Sequence, residues 1–328
     1  MSSGLDAAVA DTRTAVRAAL SDLAPGSRAL VACSGGADSL ALAAASVFEG
    51  RKAGWLVGAV VVDHGLQRTS ADVAARVAII LRQLGCDPVD VAAVSVPRGS
   101  GPEAAAREAR YAALTQAAES LEAVVLLGHT LDDQAETVLL GLARGSGLRS
   151  LAGMAPVNGR FRRPLLGLTR RRTEQACRAQ ALDYWDDPHN RELRFQRVRV
   201  RRKVLPMLEE QLGPGVAEAL ARTARLVRLD ADALDHLAEQ LLSSARQADG
   251  SLDVAVLSGA LPSLRRRVLR FAALAAGCPS GELFAVHIDS VERLVTDWHG
   301  QLGVDLPGAV HAVRRHGLLQ FEHPEPQI

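Results

Sequence analysis

Short apolar runs alternate with longer amphipathic segments through the first part of the chain. The apolar runs end in small or polar residues, as strands buried on both faces of a sheet do; they are Arg28–Ser34, Trp55–His64, Val89–Val96 and Glu122–His129. The segments between them have apolar residues at helical spacing; they are Ala37–Phe48, Ser70–Leu84 and Pro102–Ser120. Strands that alternate with helices form right-handed βαβ units, so the pattern predicts an α/β fold with a doubly wound parallel sheet.

The pattern changes after Asp133, where helical segments, a basic region and turns replace the alternation. The turn signal at Gly213–Gly215, which reads Gly-Pro-Gly, is the strongest boundary signal in the chain. We therefore expect a catalytic domain at residues 1–212, which includes a basic and partly helical segment at 160–212. A smaller, mostly helical domain is expected at 213–328, with short β-like runs at its end.

Polar residues follow three of the predicted strands at their carboxyl ends. They are Ser34–Ser39, Asp63–His64 and Gly128–Asp133. Ligands of a doubly wound sheet bind where the carboxyl ends of its strands meet. The three groups are therefore expected to converge on one binding site.

The loop after the first strand is a candidate phosphate site; it consists of Ser34, Gly35, Gly36, Ala37, Asp38 and Ser39. Backbone N–H groups and the positive end of the following helix would bind an anion there. Asp38 would repel a phosphate unless a divalent cation lay between them, so Asp38 is a candidate Mg²⁺ ligand. The loop has neither the lysine of a P-loop nor the glycine spacing of a dinucleotide fold. A helix N-cap on a tight turn is the structural alternative.

Charge is distributed unevenly along the chain. The formal net charge is +1, but Arg160–Lys203 contains thirteen arginines and one lysine against five acidic residues, a local charge of +9. This segment is either a solvated face or a surface for nucleic acid. The four cysteines form no Cys-x-x-Cys pair or zinc pattern, which predicts reduced, mostly buried thiols. Without a signal peptide or an apolar span, we expect a cytoplasmic protein with no membrane partner.

The hexapeptide Ser34–Ser39 resembles the signature of the PP-loop ATP pyrophosphatases. That superfamily has the predicted fold, binds ATP at the loop and attaches AMP to an oxygen of its substrate with release of pyrophosphate. Further segments resemble, in their order, the bacterial tRNA(Ile)-lysidine synthases; they are Asp63–Ala78, Gly101–Leu114, Leu127–Met154, Arg163–Leu166 and Asp186–Leu208. The similarity is most specific between Gly128 and Met154 and is weaker in the last third of the chain.

This resemblance implies a ligase that uses ATP and Mg²⁺ to modify the wobble cytidine of an isoleucine tRNA with a CAU anticodon. ATP would adenylate the C2 oxygen of the base, and the side-chain amine of free L-lysine would then attack C2 and expel AMP. The modified base pairs with A instead of G, which changes codon recognition from AUG to AUA. A homodimer is one assembly compatible with the resemblance.

Acidic and imidazole side chains after the fourth strand are the candidates for handling lysine. The amine must lose its proton to react, because its ordinary pKa is about 10.4. His129 and Asp133 are the candidate catalytic residues there, beside Asp38. Asp133 and Glu136 lie three residues apart, hence on one helix face, and could bind the ammonium groups. Asp132 is expected to cap that helix.

Arginines supply the remaining candidate contacts. Arg107 and Arg110 share a helical face that the resemblance places at the site, with Arg110 expected to bind lysine and Arg107 tRNA; an exposed arginine pair is the alternative. Asp63 and His64 are expected at the adenosine, although His64 could merely cap its strand. Arginines of the basic segment would contact tRNA phosphates and unpaired bases; they are Arg194, Arg197, Arg199, Arg201 and Arg202.

Four positions depart from the family pattern. The family usually has Arg at Gln67, a second His at Thr130, Ser at His189 and Asn at Val198. Three other functions compete with the ligase. A sulfur-inserting tRNA enzyme lacks support because Cys-x-x-Cys pairs are absent. An RNA-binding protein with a degenerate site is disfavoured by the intact loop, and a small-molecule amide synthetase is disfavoured by the arginine-rich segment.

Overall fold

The structure is a computed structural model that describes residues 5–63, 65, 70–94, 102–145 and 147–323. The chain divides into two compact units, one up to Arg228 and one from Leu229 onward. Each unit has its own apolar core.

The first unit alternates strands and helices as the apolar pattern predicts. Its strands are β1 (Arg28–Ala32), β2 (Leu56–Asp63), β3 (Val89–Ala93), β4 (Val124–Leu127), β5 (Val157–Asn158) and β6 (Phe161–Arg162). Its helices are α1 (Ala7–Ala19), α2 (Ala37–Ala53), α3 (Ser70–Leu84), α4 (Pro102–Ser120), α5 (Leu131–Ala143), α6 (Leu148–Leu151), α7 (Arg170–Ala179), α8 (Gln196–Arg199) and α9 (Leu205–Leu212). Two short 3₁₀ helices, Pro164–Gly167 and Pro188–Arg191, lie on either side of α7.

The sheet of the first unit has the order β3-β2-β1-β4-β6-β5. Every pair is parallel except the β5–β6 hairpin at one edge. The strand order reverses between β1 and β4, which opens a crevice at their carboxyl ends. The prediction of a doubly wound parallel sheet is confirmed.

Side chains of β1 alternate between two apolar layers. Ala29 and Val31 pack into a layer with α1, α2, α3 and α7, whereas Leu30 and Ala32 pack with α4 on the opposite face. Burial on both faces explains why this strand is a continuous apolar run rather than an alternating one. The loop after β1 lies at the carboxyl edge of the sheet, because the strand ends there.

Two parts of the first unit were not expected from the apolar pattern. Helix α1 packs Val9 and Val16 into the layer beside α2, and Arg17 forms an ion pair with the buried Glu49 of that helix, Nε to Oε2, at 2.7 Å. The β5–β6 hairpin extends the sheet through two-residue strands, which are too short to give a periodic signal.

The basic segment is helical from Gln196 to Leu212, with a π turn at Val200–Val204 between α8 and α9. Pro206 follows this turn. Proline has no N–H to donate, and its ring crowds the carbonyl four residues earlier, so an α-helical hydrogen bond is lost there. The helix is thus locally widened before Pro206 and continues beyond it.

The second unit contains helices and an antiparallel sheet. Helix α10 (Val216–Ala245) leads into it; its further helices are α11 (Val254–Gly259), α12 (Pro262–Ala275) and α13 (Ala285–Thr296). Its strands, in the order β7-β10-β9-β8, are β7 (Leu252–Asp253), β8 (Val304–Leu306), β9 (Val310–Arg315) and β10 (Leu318–Glu322). No described helix is long and apolar enough to cross a membrane. All four cysteines are free and buried, as expected.

The division between the two compact units falls inside α10 rather than at the Gly213–Gly215 turn. The first turns of α10 belong to the first unit because Ala217 and Leu220 pack against α5 and α9, and Arg228 donates to the carbonyl oxygens of Ala152 and Gly153 at 2.8 and 2.7 Å. The functional boundary at 212/213 stays a prediction.

Candidate functional site

A polar cleft of about 640 Å³ lies at the carboxyl ends of β1 and β4. A smaller, mostly apolar pocket of about 140 Å³ adjoins it beside β2 and α3. Ser34, Arg110 and Trp185 line both. A polar cleft that adjoins an apolar pocket suits a ligand with a flat ring and a charged chain.

The loop between β1 and α2 is held in one shape by its own hydrogen bonds. Ser39 Oγ donates to the Gly36 carbonyl oxygen at 2.9 Å and accepts from the Ser34 N–H at 3.3 Å. The Trp185 N–H donates to the Gly35 carbonyl oxygen at 2.9 Å. Gly35 has φ +84, and a Cβ there would lie 2.5 Å from Cγ2 of Val77. The second position of the loop therefore requires glycine.

The end of β4 lies directly against the start of α2. A Cβ on Gly128 would lie 3.2 Å from the backbone of Asp38 and Ser39. This close approach brings His129 and Asp133 to the same cleft as the loop. Two of the three predicted polar groups thus converge, and Asp63 lines the adjoining pocket.

Asp38 is held between two residues of α7. Its Oδ2 accepts from Nε of Arg170 at 3.2 Å, and its Oδ1 accepts from the Thr173 hydroxyl. Burial raises the pKa of the Asp38 carboxyl, an effect that Arg170 and Thr173 oppose. A carboxylate offers about four acceptor positions, of which these contacts use two.

Asp133 has no acceptor position left in this arrangement. Its Oδ1 accepts from Nη2 of Arg170 and Nη2 of Arg201, both at 3.1 Å. Its Oδ2 accepts from the N–H and the hydroxyl of Thr130, at 2.9 and 3.0 Å. Burial would raise the pKa of Asp133, but Arg170, the Thr130 N–H and Arg201 outweigh it and lower that pKa. Asp133 is therefore an ionised, fully bonded carboxylate.

Glu136 faces the helical basic segment rather than the cleft. Its carboxylate is fully buried and accepts from Nε and Nη2 of Arg201, at 2.5 and 3.1 Å. Burial raises the pKa of Glu136 against the effect of Arg201. Glu136 and Arg201 thus form a bidentate ion pair with each other, and the lysine contact expected of Glu136 and the tRNA contact expected of Arg201 stay predictions.

The expected cap of α5 is wrong, because Thr130 and not Asp132 is its N-cap. Thr130 and Asp133 form a capping box in which each side chain accepts from the other's N–H. Asp132 instead accepts the Arg170 N–H at 2.7 Å, at the first residue of α7. Sequence separation hides this contact, because the two residues meet only in the folded chain.

Arg170 lies between the acidic residues of the cleft, a position that the sequence pattern does not indicate. It donates to Asp38 and to Asp133 at once. Burial would lower its pKa, yet the carboxylates of Asp133, Asp38 and Glu136 together raise it. The signal available in the sequence was the Thr-Arg-Arg-Arg-Thr stretch at Thr169–Thr173, which gives no indication of which arginine points inward.

His129 is a neutral imidazole at the cleft. Burial lowers its pKa to about 3, and the positive charges of Arg163 and Arg110 act in the same direction, against Asp133. Its Nδ1 is buried and has no hydrogen-bond partner within the described part of the chain. A neutral ring that lines the cleft can accept a hydrogen bond from a ligand.

Arg110 is a half-buried arginine of the cleft wall. It lines the polar cleft, the apolar pocket and a third cavity of about 160 Å³ beside His129. Burial lowers its pKa. Arg107 is exposed; its guanidinium stacks on Tyr111, 4.9 Å from the ring centroid. The predicted helical face therefore separates into one half-buried and one exposed arginine.

Asp63 ends β2 and accepts the Gly65 N–H at 2.9 Å, so it fixes the turn beside the apolar pocket. His64 lies outside the described residues, as does Gln67. The predicted role of Asp63 at the adenosine is compatible with its position.

The basic segment presents its arginines to different surroundings. Arg197 lines the cleft and donates to the Thr137 hydroxyl at 2.9 Å, and Arg202 is exposed at the cleft wall. Arg199 is exposed and donates to the carbonyl oxygens of Leu193 and Arg194. Arg194 is exposed and forms an ion pair with Glu192, Nε to Oε2, at 2.6 Å.

The donor set of the cleft fits a magnesium ion that is held mostly by a ligand. No group of three or more His, Cys, Asp or Glu side chains that could hold a metal occurs among the described residues. Mg²⁺ bound with a nucleotide needs only one or two carboxylates, because phosphates and waters supply the rest. Asp38 has open acceptor positions and lines the cleft, whereas Asp133 has none.

Comparison with known proteins assigns the chain to a family. Residues 10–208 match the model of a PP-loop domain, and residues 252–319 match the TilS substrate binding domain. A curated tRNA(Ile)-lysidine synthase of Thermobifida fusca is 54% identical over 97% of this chain and 98% of its own length. The chain belongs to the tRNA(Ile)-lysidine synthase family. The family enzyme of Streptomyces coelicolor is 57% identical over 88% of this chain and 84% of its own length.

Structural comparison supports the PP-loop fold of the lysidine synthase family. The U34-tRNA thiolase NcsA from Methanococcus maripaludis, solved with its [4Fe-4S] cluster, matches with a TM-score of 0.56. The match covers 67% of this chain and 80% of the thiolase at 18% identity, so it concerns the fold alone.

Three departures from the lysidine synthase pattern have a structural role here. Thr130 is the N-cap of α5, and Val198 is buried. His189 is half-buried and lines the apolar pocket. Each position is thus filled by a residue that packs or caps, which leaves the loop and the acidic residues in place.

Proposed function

We propose that this protein uses ATP to ligate free L-lysine to C2 of the wobble cytidine of isoleucine tRNA with a CAU anticodon. The observation that carries the proposal is the meeting, in one cleft, of the Ser34–Ser39 loop, His129, Asp133 and the arginines of the basic segment. Membership of the lysidine synthase family supports the same substrates. Action on tRNA is consistent with the predicted cytoplasmic location, and a homodimer stays a prediction.

In the first step, the cytidine O2 attacks the α-phosphorus of ATP, and pyrophosphate leaves. The adenine would occupy the apolar pocket beside Asp63, and the N–H groups of the loop would stabilise negative charge on the leaving phosphates. Asp38 would hold Mg²⁺, which offsets the phosphate charge when bound. The loop geometry around Ser39 supports this assignment, since it fixes the backbone before the nucleotide arrives.

In the second step, the lysine side-chain nitrogen bonds to C2, and AMP leaves with the former C2 oxygen. Arg110 would bind the lysine carboxylate, because it is a half-buried arginine at the junction of three cavities. His129, whose ring stays neutral because burial lowers its pKa to about 3, would orient the amine by accepting a hydrogen bond, and the proton that the amine gives up would pass to solvent. Asp133 would attract the ammonium end through its charge, since its acceptor positions are full.

The tRNA would approach along the arginines that the cleft and its rim expose. Arg197 and Arg202 line the cleft, whereas Arg199, Arg194 and Arg107 are exposed, the last two with their guanidinium groups stacked on aromatic rings. Guanidinium groups bind phosphates and also stack on unpaired bases, as an anticodon loop requires. Arg201 is assigned instead to the support of Glu136 and Asp133.

The test is incorporation of labelled lysine into an isoleucine tRNA transcript with a CAU anticodon, with ATP and Mg²⁺ present. Lysine-dependent AMP formation is expected with wild-type protein, and Asp38→Ala should lose AMP and pyrophosphate release together. AMP formation without lysine incorporation would contradict the proposed substrate. Sulfur insertion, the activity named for the thiolase, is disfavoured because all four cysteines are buried and no metal-holding group exists among the described residues.

A further inference from the structure

One guanidinium is shared by the two cleft carboxylates that come from opposite sides of the crevice. Arg170 donates from Nε to Asp38 at the start of α2 and from Nη2 to Asp133 at the start of α5. The exposed fractions of the three side chains are 25% for Arg170, 20% for Asp38 and 10% for Asp133. The contact thus lies in a part of the cleft that is largely shielded from solvent, where charges interact more strongly than in water.

The guanidinium occupies the position that a cation between Asp38 and Asp133 would occupy. The backbone of Arg170 is fixed at this position, because Asp132 accepts the Arg170 N–H at 2.7 Å. The hydroxyl of Thr173, one helical turn further along α7, donates to Asp38. Asp133 forms a second ion pair with Arg201, whereas Arg170 is the only arginine or lysine that forms an ion pair with Asp38 among the described residues. A charge so placed neutralises Asp38 while the nucleotide is absent.

We propose that Arg170 is a resident counter-ion of Asp38 that gives way to the divalent cation of the nucleotide and then binds a phosphate oxygen. This inference rests on the proposed use of ATP and Mg²⁺ in this cleft. When the metal takes Asp38, the guanidinium would keep its contact to Asp133, and its released Nε–H would be available to a phosphate oxygen. A bound metal and a bound guanidinium then neutralise the phosphate charge together.

The exchange has a signature that a purely structural residue would not give. Removal of the guanidinium leaves Asp38 without its counter-charge, so a divalent cation should bind the nucleotide-free protein more tightly. Removal also takes away a phosphate contact, so ATP without metal should bind more weakly. A residue that merely supported the fold would weaken both ligands when replaced.

The experiment compares wild type, Arg170→Met and Arg170→Lys by two titrations. Mn²⁺ is titrated into nucleotide-free protein and followed by its electron paramagnetic resonance signal, and ATP is titrated with EDTA present and followed by calorimetry. We expect Arg170→Met to bind Mn²⁺ about tenfold more tightly and metal-free ATP about tenfold more weakly, as the loss of one nearby charge implies. Both affinities of Arg170→Lys should lie between those of wild type and Arg170→Met, since lysine keeps the positive charge but cannot donate to two carboxylates with the planar geometry of a guanidinium.

Arg172→Met is the matched control. Arg172 lies on the same helix but pairs with Asp11 of α1, Nε to Oδ2, at 2.7 Å, and it does not line the cleft. Both affinities of this control should equal those of wild type. Unchanged or weaker Mn²⁺ binding by Arg170→Met, in protein that unfolds at the wild-type temperature, would overturn the counter-ion role. Failure of the proposed function is distinguishable, because wild-type protein would then incorporate no lysine into the tRNA, whereas the Mn²⁺ comparison still reports on Arg170.

Discussion

Arg201 forms a bidentate ion pair with Glu136, Nε to Oε1 at 2.5 Å and Nη2 to Oε2 at 3.1 Å. Glu136 is fully buried, and Arg201 also reaches Asp133. The next residue, Arg202, is exposed at the cleft wall. Both residues line the cleft, but Arg201 is paired with buried carboxylates and Arg202 is exposed, so two neighbours in one basic stretch have different surroundings.

Arg201→Met is expected to destabilise the catalytic unit by about 3 kcal/mol, since it leaves a buried carboxylate without its partner. The loss is measured as a shift of the first urea unfolding transition. Arg202→Met, one residue away, should change stability by less than about 0.5 kcal/mol. Equal effects of the two substitutions would contradict the inward assignment of Arg201.

Arg202→Ala is expected to weaken tRNA binding at low salt and to reduce the slope of log affinity against log salt by about 0.7 to 0.9, the value for one phosphate contact. Filter binding at several salt concentrations measures both quantities. Arg28→Ala is the control, because Arg28 is exposed at the amino end of β1, on the opposite edge of the sheet from the cleft. A slope that stays at the wild-type value would mean that Arg202 is a solvated surface arginine that makes no phosphate contact with tRNA.

Gly35→Ala is expected to reduce ATP binding more than tenfold, because the new Cβ would lie 2.5 Å from Val77 in a loop held at φ +84. Gly26→Ala provides the matched control. Gly26 has φ +86, but a Cβ there would meet nothing within 4 Å, so it suffers the backbone strain without the clash. Its cost should be about 1 kcal/mol of stability with normal ATP affinity. Normal ATP affinity in Gly35→Ala would show that the loop tolerates a wider shape.

His129→Gln is expected to flatten the pH dependence of stability in the acid range. Burial depresses the pKa of His129 in the folded protein to about 3, so below about pH 6.5 the unfolded chain binds a proton that the folded chain does not. Stability is therefore fully present above about pH 6.5 and falls by about 1.4 kcal/mol per pH unit below it. Urea midpoints at pH 7.5 and 5.5 measure the effect in wild type and variant.

The same substitution at the exposed His236 is the control for this pH experiment. An identical loss of stability in wild type and His129→Gln on going to pH 5.5 would mean that His129 takes up a proton in the folded state. The neutral imidazole proposed to orient the lysine amine would then be ruled out at that pH.

Much of the fold follows from local patterns. The predicted bounds of α3 and α4, Ser70–Leu84 and Pro102–Ser120, coincide with the structure, and all four predicted strands are present. Buried parallel strands are continuous apolar runs and their helices are amphipathic, so each signal is complete within one element. Helix α1 and the β5–β6 hairpin were missed, because a two-residue strand carries no period and α1 lies before the alternation begins.

The sequence alone determined which residues could reach the cleft, because a loop after a buried strand must open at the carboxyl edge of the sheet. The tertiary structure decided how those residues pair. It turned Arg201 toward Glu136, placed Arg170 between Asp38 and Asp133, and left Arg110 and His129 open to a ligand. Such pairings depend on distances between elements far apart in the chain, which no local spacing encodes.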